Sequence, residues 1–323
     1  MRPGLADRLF GPAELQRIHA VADLDDDVTI SDFAQADPGL LADLDVLITG
    51  WGCPRIGAAE LAAMPRLRAV VHAAGTVKDH VSPDVWSRGI IVTTAADANA
   101  RPVAEYTLAA ILLAGKGVPE LARGYAADPG CSAASRTDIG NYRRTVGIVG
   151  ASRVGRLVVE LLGSFDFTVL LYDPSLAGDD PVLARATRVS LDELFRRSSI
   201  VSVHAPLLPE TTGLVSSHRF DLMSPGSVLI NTARGAIVDH DALVRAVRAK
   251  GVRAILDVTA PEPLPAGHPL RGLPGVILTP HVAGSLGNEL GRLGESAVCE
   301  LELLAAGRPP RSPVRWESIA TMA

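Results

Sequence analysis

The stretch that most constrains this chain is Thr145 to Arg156, TVGIVGASRVGR. Val146, Ile148 and Val149 form a short β-branched run, and after Gly150 the apolar residues recur at Val154, Leu157, Val158, Leu161 and Leu162, which is helical spacing. A buried strand that turns through glycine into a helix brings free backbone N–H groups and the positive helix end to one point. That arrangement suits an anion such as a dinucleotide pyrophosphate. The turn reads Gly150-Ala151-Ser152-Arg153-Val154-Gly155, so it is G-x-S-x-x-G rather than G-x-G-x-x-G. Ser152 restricts the backbone where glycine would let it approach a phosphate, but its hydroxyl can donate to a phosphate oxygen, and Arg153 can neutralise charge.

Around this stretch the chain reads as two α/β domains. At 323 residues and 47% hydrophobic it exceeds one ordinary core. From Met1 to Ala98, short apolar runs at Val46 to Thr49, Ala69 to His72 and Ile90 to Thr93 alternate with helix-like stretches at Glu14 to Ala22 and Gly57 to Met64. Asn99 to Lys116 reads as a long apolar helix with Pro102 near its first turn, and Gly124 to Asn141 as a surface arm or loop. Beyond Arg156, strands at Thr168 to Tyr172, Ile200 to Val203, Ser227 to Asn231, Val252 to Leu256 and Val276 to Leu278 alternate with helices at Leu191 to Arg197, Ser216 to Met223 and Asp241 to Lys250. This is the pattern of a doubly wound parallel sheet. Ser190 with Glu193 reads as a capping box, Asp239 as a cap, and Gly251 as a helix end. The helix-like stretch Gly287 to Ala306 can return to the first domain, which makes that domain discontinuous: 1–98 plus 289–323, with 99–288 forming the dinucleotide-binding domain.

Composition excludes several classes. A net charge of -5 gives no basic excess for nucleic acid, and Arg143-Arg144 and Arg196-Arg197 read as solvated faces. The longest apolar run, Leu108 to Ala114, is too short to cross a bilayer, and no secretory h-region opens the chain. Three scattered cysteines, Cys53, Cys131 and Cys299, show no metal-ligand spacing and fit a reduced, cytoplasmic setting, with no metal expected. Cys53 reads as a loop thiol. His19, His218, His240 and His268 read as surface residues.

The chemistry gathers at strand ends. Asp173 lies eighteen positions after Gly155, where a carboxylate accepts from ribose hydroxyls and repels a 2′-phosphate; alone, it reads equally as a turn-capping Asp. NAD is therefore expected over NADP. Three later segments follow strands: Asn231-Thr232-Ala233-Arg234-Gly235, Asp257-Val258-Thr259-Ala260-Pro261-Glu262-Pro263, and Thr279-Pro280-His281-Val282-Ala283-Gly284. Arg, Glu and His at one sheet edge suit proton and hydride chemistry on a carboxylate-bearing substrate.

These segments, together with VSVHAPLLPETTGLVSSHRFDLMSPGSVLINTARGAIVDHDAL, resemble the D-isomer-specific 2-hydroxyacid dehydrogenases, the family of phosphoglycerate dehydrogenase and the glyoxylate/hydroxypyruvate reductases. The resemblance is strongest from Asn99 to Gly284. It implies a Rossmann-type doubly wound cofactor domain, a smaller flavodoxin-like substrate domain and a homodimer acting on a small 2-oxoacid or 2-hydroxyacid. It also implies that Arg234 binds the substrate carboxylate, that His281 is the acid/base, and that Glu262 pairs with it. Thr232 and Ala233 would line the nicotinamide, Asp257 would face its carboxamide, and His204, Ala205, Pro206 and Thr211 would pass close to the cofactor. Ala283 and Gly284 complete the cofactor set with Gly150, Ser152, Arg153, Val154 and Gly155.

Where the family commonly reads R-A-G-x-G-x-D-N, this chain has Ala73-Ala74-Gly75-Thr76-Val77-Lys78-Asp79-His80. Gly75 and Thr76 keep N–H groups for a substrate carboxylate, Val77 replaces a glycine, and Lys78 is either a solvated residue or a selector of a second anionic group. With few residues after Ala306, the regulatory domain that some phosphoglycerate dehydrogenases carry is not expected. Two other readings stay open within this resemblance: an NAD(H)-sensing, corepressor-like binding protein, and a phosphite- or formate-type dehydrogenase.

Overall fold

The structure is a computed structural model and describes residues 1–128, 130, 132–133 and 136–321. The chain divides into two compact units, one made of Met1–Ala100 with the segment from Ser285 onward, the other of Arg101–Gly284. No described helix is long and apolar enough to cross a membrane.

The first unit holds a parallel sheet of β1 (Val46–Thr49), β2 (Ala69–His72) and β3 (Ile91–Thr94) in that order, narrower than the five-strand flavodoxin-like order. β2 is central and wholly buried, so alternate residues face two cores. Val70 packs with Ile56, Leu61, Met64 and Val85; Val71 packs with Leu9, Ile18, Leu293 and Val298. The helix Leu290–Ala305 thus buries its apolar face in this unit, and Arg17 bonds its Glu302 (2.7 and 2.8 Å) and Glu295 (2.6 Å).

The second unit is built on seven parallel strands: β4 (Thr145–Val149), β5 (Thr168–Tyr172), β6 (Thr187–Arg188), β7 (Ile200–Val203), β8 (Val228–Asn231), β9 (Arg253–Leu256) and β10 (Val276–Leu278). Their order is β10-β9-β8-β7-β4-β5-β6, so the winding reverses between β4 and β7. β7 and β8 are buried on both faces, which is why they read as continuous apolar runs. Two cores flank the sheet, one around Phe195, Phe220, Leu229 and Leu243, the other around Ile148, Val158, Leu162 and Ile230.

Most elements fall within a residue or two of their expected positions, and four local expectations are corrected. The long helix starts at Ala96 rather than Asn99, because Ala96-Asp97-Ala98 is itself good helix sequence with an acidic first turn. Pro102 therefore sits inside the helix, where it leaves the Ala98 carbonyl without its helical donor. Gly124 to Ala127 is not loop but the end of a helix, Val118–Ala127; part of the remaining expected loop, with Cys131, lies outside the described residues. At Ser190 the hydroxyl accepts the Glu193 N–H at 3.2 Å, a one-sided cap rather than a box. His240 is buried rather than on the surface, because its ring turns in under the Ala260 carbonyl.

Candidate active site

In a parallel sheet every strand ends on the same edge, and a ligand fits where the winding reverses. That point lies between the ends of β4 and β7, at Gly150 and His204. Gly150 takes φ +100°, and a Cβ there would come within 2.7 Å of the Ala205 nitrogen. Gly155 is equally committed, since a Cβ would run into the Gly150 carbonyl oxygen. Ser152, by contrast, has φ −65° and ψ 177°, an ordinary extended residue. Its hydroxyl caps the helix Arg153–Leu162 by accepting the Gly155 N–H at 3.3 Å, which still leaves its own proton to donate.

Ala151 between them is fixed at both backbone atoms. Its N–H goes to Asp173 Oδ2 at 2.8 Å, and its carbonyl accepts from Arg156 Nε at 2.9 Å. The rest of the Arg156 guanidinium forms a fork with Asp180 at 2.6 and 2.7 Å, which holds that carboxyl down at about 2. Asp173 also accepts the Ser175 N–H at 2.8 Å, so each oxygen already has one backbone partner and retains further lone pairs. A turn held this firmly, with glycine only where a side chain would collide and a helix start beyond it, fits a dinucleotide pyrophosphate.

Three expected contacts are turned inward. The His204 ring is 2% exposed, with Nε2 2.9 Å from Ser202 Oγ, and burial pushes it down to about 3. The backbone of His204 and Ala205 and the half-buried Pro206 remain for a ligand at that edge. The Thr211 hydroxyl is spent inside its own loop, donating to the Pro206 carbonyl (2.6 Å) and accepting the Leu208 N–H (2.7 Å). Asp257 is 1% exposed; its carboxylate accepts from Thr279 Oγ1 (2.6 Å) and from the N–H groups of Val282 (2.8 Å) and Ala283 (2.9 Å). It braces the His281 loop from beneath rather than presenting itself at the surface, because a buried carboxylate demands such donors.

That bracing accounts for the setting of His281. The residue takes φ +55°, a conformation rare for a side-chain-bearing residue and held here by bonds from its N–H to the carbonyls of Asp257 (2.9 Å) and Thr279 (3.0 Å). Its Nδ1 lies 2.7 Å from Glu262 Oε1, and both side chains are exposed to solvent. Glu262 follows Ala260 and Pro261 in a segment whose two X–Pro bonds are cis. Thr279 passes the bracing onward: its proton goes to Asp257, so the phenol of Tyr106, 2.9 Å away, must donate to the Thr279 oxygen.

The Arg234 loop is organised by Asn231. Its Oδ1 accepts the Ala233 N–H (3.0 Å) and its Nδ2 donates to the Arg234 carbonyl (2.9 Å), while Thr232 meets Thr107 at 3.2 Å. Arg234 is half-buried, with Nη1 on the Ala233 carbonyl at 2.7 Å. Gly235 abuts the Thr259 backbone with no room for a Cβ, so the Arg234 and Glu262 segments are packed on each other. Ala233 and Ala283 are buried beside these loops, and Gly284 closes the second unit. Sequence reasoning named Asn231, Thr279 and Arg156 only as parts of their segments and gave Tyr106 no role. An Asn at a strand end and an Arg closing a glycine turn were the available signals.

In the first unit, the loop after β2 is pinned by Thr94, whose Oγ1 donates to the carbonyls of Ala74 (2.8 Å) and Gly75. Val77 fills the core, which explains a large residue where the resemblance has glycine. Among the described residues no acceptor takes the N–H of Gly75 or Thr76, and Lys78 is exposed. His72 at the end of β2 is 1% exposed, bonded through Nδ1 to Thr49 Oγ1 at 2.8 Å; burial, then His80, pushes it down to about 3.

A doubly wound parallel sheet with a glycine turn entering a helix beside its reversal point defines a Rossmann-type dinucleotide-binding unit. Comparison with known proteins narrows the class. The profile of the D-isomer specific 2-hydroxyacid dehydrogenase NAD binding domain matches residues 108–283. The chain is 35% identical over 261 residues to D-3-phosphoglycerate dehydrogenase of Mycobacterium bovis, covering 78% of this chain and 48% of that protein, so it spans about half the length of that relative. It is 34% identical over 269 residues to glyoxylate reductase of Thermofilum pendens, covering 81% and 79%. Among solved structures, a phosphoglycerate oxidoreductase from Rhizobium etli superposes with a TM-score of 0.79 at 25% identity, covering 96% and 94%. The chain belongs to the D-isomer specific 2-hydroxyacid dehydrogenase family.

Proposed function

We propose that the protein is an NAD-dependent oxidoreductase that interconverts a D-2-hydroxyacid and its 2-oxoacid. The observation that carries this reading is the 2.7 Å contact between Glu262 and His281 Nδ1, at the sheet edge that also bears Arg234. With Nδ1 engaged by the carboxylate, Nε2 is the ring atom left to exchange a proton with substrate. In reduction the protonated ring gives its Nε2 proton to the carbonyl oxygen. In oxidation the neutral ring takes the hydroxyl proton, and Glu262 steadies the cation that results. The Arg234 guanidinium fork holds the substrate carboxylate and polarises the 2-oxo group. Gly75, Thr76 and Lys78 are assigned to substrate as well.

The dinucleotide is proposed to be held by Gly150, Ser152, Arg153, Val154, Gly155, Asp173, the backbone of His204 to Pro206, Thr232, Ala233 and Ala283. When bound as NADH it supplies hydride to C2 of the oxoacid. Asp173 favours NAD over NADP, since a 2′-phosphate would meet its carboxylate and Pro174 and Ser175 bring no compensating cation. A homodimer is part of the same proposal. It is supported by the large apolar side chains of Leu113, Val118, Tyr125 and Tyr142, which the second unit leaves exposed.

The test is kinetic and uses NADH with glyoxylate, hydroxypyruvate, pyruvate and bulkier 2-oxoacids. His281→Ala is expected to lose about a hundredfold or more in turnover while NADH binding by calorimetry is unchanged. Turnover that survives the substitution would remove His281 from the acid/base role, and a protein that binds no NADH would remove the cofactor assignment.

A further inference from the structure

His240 opens the helix His240–Lys250, and the residue is 8% exposed. Nδ1 lies 3.1 Å from the carbonyl oxygen of Ala260. A carbonyl only accepts, so Nδ1 carries the proton. Burial pushes the ring below its ordinary value, toward the neutral form whose proton Nδ1 holds, and among the described residues no partner reaches Nε2. His268 stands edge-on with its ring centre 6.0 Å away, and its own Nδ1 accepts the Leu270 N–H at 3.3 Å. An apolar residue would fill this space without burying an unpaired nitrogen, so packing alone does not account for a histidine here.

What the ring does supply is one backbone anchor, placed two residues before Glu262. The Glu262 side chain is exposed, so the direction from which it reaches His281 depends on its backbone. That backbone is held on one side where Thr259 packs on Gly235 and donates its hydroxyl to the Pro261 carbonyl at 2.9 Å. On the other side it is held at the Ala260 carbonyl by His240. We propose that His240 is a positioning residue for the Glu262–His281 pair: its Nδ1–H fixes the Ala260 carbonyl and thereby the backbone from which Glu262 steadies the imidazole. This rests on the acid–base reading of His281 given above.

The test compares His240→Leu, which keeps bulk and removes the donor, with His240→Asn, whose Nδ2 sits where Nδ1 does and can donate to the same carbonyl. Kinetics are measured on the 2-oxoacid that the unaltered protein turns over fastest, with thermal midpoints and NADH affinity alongside. His240→Leu is expected to lower kcat about tenfold with NADH affinity within about twofold, and His240→Asn to restore kcat to within about twofold. In the free, unaltered protein, a slowly exchanging His240 Nδ1–H proton is expected in nitrogen-edited spectra, a readout that needs neither cofactor nor a folded variant. Unchanged kcat in His240→Leu, equal loss in both variants at matched thermal midpoints, or an unprotected Nδ1–H would each overturn the role. Failure of the underlying reading looks different: the unaltered protein then turns over no 2-oxoacid, and the positioning role falls with it.

Discussion

His72, His204 and His240 are buried imidazoles whose protonation is held below the ordinary histidine value, the first two at about 3. The unfolded chain restores each to about 6.5, so below that pH, and down to about 3 for His72 and His204, the unfolded state binds more protons than the folded one. Their stabilising effect is complete above pH 6.5 and is lost as pH falls toward 3. Urea unfolding at a series of pH values should show this slope, and His204→Asn should flatten it by up to about 1.4 kcal/mol per pH unit. An unchanged slope would mean that the histidine is not buried neutral. The family resemblance made the candidate acid/base pair legible, since His281 and Glu262 stand in the segments that carry it. It did not reveal that Asp257 braces the loop of His281, or that His204 turns into the sheet. A carboxylate or an imidazole at a strand end can bond inward or outward, and the choice depends on loop N–H groups whose directions no single residue encodes.

At the scale of elements, the glycine turn and its helix show what a departure from the fingerprint changes. Ser152 contributes a helix cap where glycine would contribute none, while its extended backbone needs no glycine. Ser152→Ala is expected to cost about 0.5–1 kcal/mol, the low side of the usual range because the cap bond is 3.3 Å, and Ser152→Gly only a few tenths. Chemical denaturation of the three proteins reads this directly; equal stability of the alanine variant would show that the cap bond contributes nothing. Buried strands were legible to within a residue or so because they are apolar on both faces, as Ile200–Val203 and Val228–Asn231 show, whereas the exposed two-residue strand β6 carried no such signal. Helix starts were less so. Pro102 suggested a first turn, yet the helix had already begun at Ala96, and Pro119 and Gly124 concealed the helix Val118–Ala127.

At the scale of the whole molecule, the proposed dimer is checked by sedimentation equilibrium. Twice the chain mass is expected, and Leu113→Glu with Tyr125→Glu should shift it toward the single chain; a single-chain mass at all concentrations would refute it. The two-domain α/β organisation was legible from chain length and alternating strand and helix periods, and the Leu290–Ala305 helix returns to the first unit. That return has a consequence for biosynthesis. Leu9, Phe10 and Ile18 are translated before any of the second unit, and the cover they need, Leu290, Leu293, Ala297 and Val298, follows more than two hundred codons later. Arg101–Gly284 carries every strand of its own sheet in one uninterrupted run. The unit begun first is therefore the one completed last, and its uncovered apolar face is the surface a nascent chain must keep from other partners until the distant helix emerges.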